Sequence, residues 1–178
     1  MNFMEICKRE AKKLLIFSFV INIFLAGIII NLQNKEDRII FDCFGSSLRI
    51  FNLMMDDYNE DIKNAKDINE KVEVIRDLII RIDRLQSSFR YAEDRFTLSF
   101  NPLANYVAGI DLDKFKQDPS YNTQVIYKLD EFYTISVKIK DMGYTDFYKN
   151  HNMKILRLKP SDKIVNYFNE MNKLALQE

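Results

Sequence analysis

Nineteen consecutive uncharged residues, Leu14 to Leu32 (LLIFSFVINIFLAGIIINL), constrain this chain more than any other feature of it. As a helix the run is about 28 Å long at ~1.5 Å per residue, close to the ~30 Å of a bilayer's hydrocarbon layer. It is apolar on every face, whereas a helix at the surface of a water-soluble core keeps one polar face. A cleavable signal peptide has a shorter apolar region that ends in small residues, but here bulky Ile28, Ile29 and Ile30 follow Ala26 and Gly27. Leu25-Ala26-Gly27 would open a lipoprotein signal only before a cysteine, and Ile28 stands there. The expectation is one retained transmembrane signal-anchor helix over residues 14–32.

Lys8, Arg9, Lys12 and Lys13 precede the run, against Lys35 and Arg38 just after it. Basic residues are retained on the cytoplasmic side, so residues 1–13 read as a short basic cytoplasmic tail. Residues 34–178 then lie outside, in a single-pass protein of the cell membrane with its N-terminus cytoplasmic and its C-terminus extracytoplasmic. Asn22 falls near mid-membrane, where an amide is costly unless a neighbouring helix pairs with it. Ser18 is four residues earlier on the same face, so Ser18 and Asn22 are the candidates for association between membrane helices.

Beyond the anchor about 145 residues remain, enough for one modest core. Three prolines and four glycines favour long helices over a many-turned sheet protein. The formal net charge is zero, with 26 basic and 26 acidic residues, so no basic stripe is available to gather phosphates and nucleic acid is excluded as a partner. The expected partners are the lipid bilayer and another membrane or envelope protein, or a second copy of the chain. Cys7 and Cys43 flank the membrane run and cannot bridge within one chain; Cys43 is free to pair with another copy where conditions oxidise thiols. Cys7, beside the membrane, has the position of an acylation site.

Phe44, Leu48, Phe51, Met55, Tyr58, Ile62 and Ala65 follow in steps of four and three, the spacing of an amphipathic helix over about 40–65. Gly45-Ser46-Ser47 interrupts it, either as a serine-capped restart or inside a continuous helix. Asp67 and Glu70 fit a reciprocal cap, opening a second helix with Ile68, Val72, Ile75, Ile79, Ile82 and Phe89 on one face, widened by Leu78 and Leu85. The pair, joined near Asn64 to Asp67, is expected to form an antiparallel hairpin reaching about Phe100, before Asn101-Pro102. Sustained heptad-like spacing also suggests a coiled coil. Being nearest the membrane, Phe44, Leu48, Phe51 and Met55 are the candidate interface with a partner held in the same bilayer.

A short helix from Leu103 ends at Gly109, and residues 110–122 read as a connection with room for one turn of helix. Residues 123–142 are ambiguous. As a helix they place Val125, Leu129, Phe132 and Ile139 on one face; as a strand, Ile135, Val137 and Ile139 alternate with polar residues. A last helix begins at Ser161, with Ile164, Val165, Phe168, Met171 and Leu174 inward. The fold class is therefore mostly α, a transmembrane helix followed by an extracytoplasmic helical bundle. The runner-up is α+β, with a small two-stranded ribbon built from 123–142 and Lys154 to Lys159.

No residue set has the spacing of a catalytic or cofactor site. His151 is the only histidine and lacks metal-ligating neighbours in the sequence. No G-x-S-x-G elbow occurs, and Gly45-Ser46-Ser47 reads as a cap. Asp56, Asp57, Glu60 and Asp61 crowd one side of the first helix, either as a weak divalent-cation site or as a solvated face. Asp111, Asp113 and Asp118 fail the calcium-loop pattern because Lys114 and Phe115 replace expected features. Tyr121, Tyr127, Phe132, Tyr133, Tyr144, Phe147 and Tyr148 concentrate aromatic area that would suit a pocket. The expected function is non-catalytic assembly in the cell envelope without cofactor or metal. The alternative is a ligand-sensing or sequestering bundle that works through a membrane partner.

Overall fold

The computed structural model describes residues 3–147 and 159–177. The first helix, α1, runs without a break over Phe3–Asn64, 62 residues and about 93 Å long. Its N-terminal half contains a segment long and apolar enough to cross a membrane, with a mean hydropathy of 2.5 and none of it buried. Every residue from 11 to 32 is exposed, so the fold itself supplies no cover for this apolar surface.

The same helix enters the core. Gly45-Ser46-Ser47 does not restart it: Ser46 Oγ donates to the Asp42 carbonyl and Ser47 Oγ to the Cys43 carbonyl, both at 3.0 Å. Each hydroxyl is satisfied by the preceding turn of helix, so neither is left to cap a new one.

Asp67 caps α2 (Ile68–Phe96), accepting from the Asn69 and Glu70 amides, while Glu70 accepts from the Lys66 amide at 2.6 Å. The Asp67 half of the cap expected from the sequence is formed, while Glu70 returns one residue further back, to Lys66 instead of the Asp67 amide. Helix α2 returns antiparallel along α1: Arg81 pairs with Asp57, Phe89 meets Phe44, and at the far end Phe96 meets Phe41 and Arg95 pairs with Asp37. It stops at Thr97, whose φ of 55° is left-handed, four residues short of the boundary expected at Asn101-Pro102.

Helix α3 (Asn101–Ala108) begins with Pro102 in its first turn and ends at Gly109. Residues 110–122 hold more structure than a bare connection. Asp111 caps α4 (Leu112–Gln117), and Asp118 caps α5 (Pro119–Lys140) with Pro119 in its opening turn. The cap fixes residues 123–140 as helix, with Val125, Leu129, Phe132, Ser136 and Ile139 buried along one face. Ile135 and Val137 belong to that helix, so the proposed ribbon loses one of its strands; the other falls mainly on 154–158, outside the described residues. A single 3-10 turn follows (Tyr144–Phe147), and α6 (Asp162–Leu176) is capped by Ser161.

One core joins these helices, with no strand assigned among the described residues. Its centre is phenylalanine. Phe89 stacks on Phe100 with ring centroids 4.3 Å apart, and Phe44 packs edge-on to Phe89 and against Phe168 of α6. Phe51 adds an edge-to-face contact with Phe100. Aromatic pairs in such geometry contribute ~0.5–1.5 kcal/mol each beyond their area burial. Phenylalanine can fill this centre without a polar tip that would need a partner.

Candidate functional site

Phe44, Leu48, Phe51 and Met55, the interface candidates of the sequence, lie in the chain's own core with almost no accessible surface. The correction has a simple cause: α2 and α5 pack along α1, and the Phe100 and Phe168 rings close onto Phe51 and Phe44, leaving the stripe unavailable to another chain. What remains open on α1 is the opposite side. Ile39 is 64% exposed, Ile50 50% and Leu53 53%, and Cys43 between them is exposed too. At 100° per residue these four positions lie about 110–170° around the helix from the centre of the buried stripe.

Ile50 and Leu53 form a ridge between two open grooves. One, of about 460 Å³, runs between α1 and α2 and is lined by Met54, Asp57, Arg81, Arg84 and Leu85. The other, of about 410 Å³, lies between α1 and α5, with Leu48, Asn52, Lys140, Met142 and Phe147 along it. Asn52 is nine-tenths buried, and its side-chain oxygen has no hydrogen-bond partner among the described residues. Leu53 borders both grooves. Both grooves are open to solvent on either side of this apolar ridge.

Among the described residues, the aromatics that the sequence offered as a pocket do not come together. Tyr127 is 64% exposed, and its hydroxyl donates to Glu131. Phe132 is buried against Tyr106, whereas Phe147 lines the α1/α5 groove. The Tyr121 hydroxyl accepts from the Asp111 amide at 3.2 Å, beneath the Lys114 ammonium 4.6 Å from the ring centre. Tyr133 is partly buried against the core. Successive positions of one helix face different neighbours, so density of aromatics in the sequence did not become proximity in space. Tyr148, His151 and the side chain of Tyr144 lie outside the described set.

The acidic group on α1 is also dispersed. Asp57 pairs with Arg81 at 2.7 Å and Asp56 with Lys140 at 2.7 Å, in opposite directions around the helix. Asp111 and Asp118 are helix caps, which accounts for their carboxylates without a cation. Ser18 and Asn22 both sit on the exposed apolar half of α1.

The perturbed ionisable groups lie at contacts within the bundle. Burial, with the Asp130 carboxylate alongside, pushes the Tyr58 phenol far above the ordinary tyrosine range, and burial also raises the Asp130 carboxyl. Burial near Tyr121 raises Tyr106 to about 12. Lys128, lowered by burial, lies 4.3 Å over the Tyr106 ring and donates to the Gln177 carbonyl, fastening the end of α6 to α5. Spacing carries no sign of this tie, because a lysine flanking the stripe of Val125 and Leu129 reads as a solvated rim residue, whereas Lys128 is buried. Comparisons with protein-family models, with curated proteins and with solved structures gave no match.

Proposed function

We propose that this chain is a membrane-anchored assembly protein without catalytic activity, with residues 14–32 crossing the cell membrane and the packed helices outside it. The supporting observation is the continuity of α1: one rigid helix carries the fully exposed apolar run at one end and the exposed ridge of Ile39, Ile50 and Leu53 at the other. A helix that passes from lipid into a core without a hinge fixes the height and rotation of the ridge above the bilayer. That placement presents the ridge sideways, toward whatever else stands in the same membrane. The basic tail sets the orientation, with the N-terminus cytoplasmic. Confinement to one membrane raises the effective concentration of a partner, so a modest apolar contact suffices.

Chemical crosslinking in intact membranes tests the reading, comparing wild type with an Ile50→Glu, Leu53→Glu double variant. Wild type should give adducts above its 21.2 kDa, and the variant should lose them at an unchanged melting temperature. Wild type that stays monomeric under every crosslinker would contradict it.

A further inference from the structure

We propose that the partner on this ridge is a second copy of the chain, paired in parallel and in register along α1; this rests on the assembly reading above. The argument is the phase of the helix. Counting from Ser18 in alternate steps of four and three residues reaches Asn22 and Leu32 in the apolar run. Continuing the same count reaches Ile39, Cys43, Ile50 and Leu53, the exposed line on the far side of the core. One uninterrupted helix thus carries one heptad seam through both its membrane and its external halves.

A seam shared by both halves suits another copy of itself better than an unrelated chain. Two copies inserted the same way in one bilayer present the seam in parallel and at equal height. Asn22 falls at the position equivalent to heptad a, where a pair of facing amides satisfies itself and pins the register. Over the five heptads from Ser18 to Leu53 a straight helix drifts about 100° from a 3.5-residue repeat, and a left-handed supercoil removes the drift. The two grooves beside Ile50 and Leu53 leave space for the same side chains of the second copy, as an isologous contact requires.

One charge interrupts the seam. Glu36 lies on it four residues beyond Leu32, so facing carboxylates keep a hydrated break between the membrane and external halves. On the flanking heptad position, Lys35, Asp42, Arg49 and Asp56 alternate in sign every seven residues, so no field of one sign opposes a copy.

Oxidative crosslinking of the full chain in membranes tests this, with Cys7→Ser as background. Cys43, and Ile50→Cys in a Cys43→Ser chain, should each yield a product of twice 21.2 kDa, because facing seam positions come within disulfide reach. Lys66→Cys, exposed at the far end of the hairpin, should not. Asn22→Leu should weaken association roughly three- to thirty-fold in a detergent dilution series, and Glu36→Leu should strengthen it. Adducts of another mass at the seam positions would overturn self-pairing while leaving the assembly reading intact. Equal dimer at Lys66→Cys would overturn the seam geometry. Absence of any adduct at seam positions would overturn self-pairing, and the assembly reading would then rest on the chemical crosslinking of wild type against the Ile50→Glu, Leu53→Glu variant.

Discussion

Asp37 is the residue on which the join between the apolar run and the core turns. It is 1% exposed, five residues past the apolar run, and its Oδ1 accepts from Arg95 Nε at 2.5 Å. A buried carboxylate is tolerated only when paired, and here the pair clamps the end of α2 to α1. Arg95 is partly solvated, so we expect Asp37→Ala to cost about 1.5–3 kcal/mol, the range for a charge-assisted hydrogen bond. Denaturant unfolding in detergent measures it, and a change under ~0.5 kcal/mol would show the clamp to be idle. The tyrosines give a pH test. Tyr106 is raised to about 12 by burial, so the folded state favours the neutral phenol. Its stabilising contribution is complete below pH ~10, the unfolded value, and is lost as pH rises toward the folded one. Absorbance titration should show a tyrosine ionising at about pH 12 that is lost in Tyr106→Phe, with Tyr58 ionising later still in both chains, whereas uniform ionisation near pH ~10 in the native protein would contradict the burial.

At the scale of elements, the sequence was readable wherever a repeat or a cap carried the signal. Ile68 to Phe89 kept a regular face, and Asp67 with Glu70 marked where it starts. Residues 123–142 were ambiguous because Ile135, Val137 and Ile139 fit both periods; the deciding features were Asp118 and Pro119, five residues upstream. The stripe Phe44 to Met55 was correctly apolar but misassigned in role, since periodicity identifies a face and not what covers it. That distinction predicts two unlike mutations. Phe89→Ala, in the centre of the stacked aromatics, should cost about 3–5 kcal/mol, and Ile50→Ala, on the open ridge, should change monomer stability by less than ~0.5 kcal/mol. Comparable losses from both, in guanidinium melts of the same detergent preparation, would mean that the ridge belongs to the core.

For the whole molecule, the account makes α1 a rigid post: one end in lipid, the other forming the core's longest wall, and one face left open along its length. The long apolar helix was legible because nineteen uncharged residues admit few alternatives, whereas the open ridge needed the fold, which alone shows that Ile39, Ile50 and Leu53 stay uncovered. Assembly and self-pairing both depend on the post crossing the membrane with its N-terminus inside. The most direct test is labelling of intact cells with a membrane-impermeant maleimide, comparing chains with a single cysteine at native Cys7 or at Lys66→Cys in the exposed turn after α1. The account predicts that the Lys66→Cys chain labels at once, that the Cys7 chain labels only after permeabilisation, and that both stay in the membrane pellet through an alkaline wash. Release of the protein by that wash, or labelling of Cys7 in sealed cells, would contradict it.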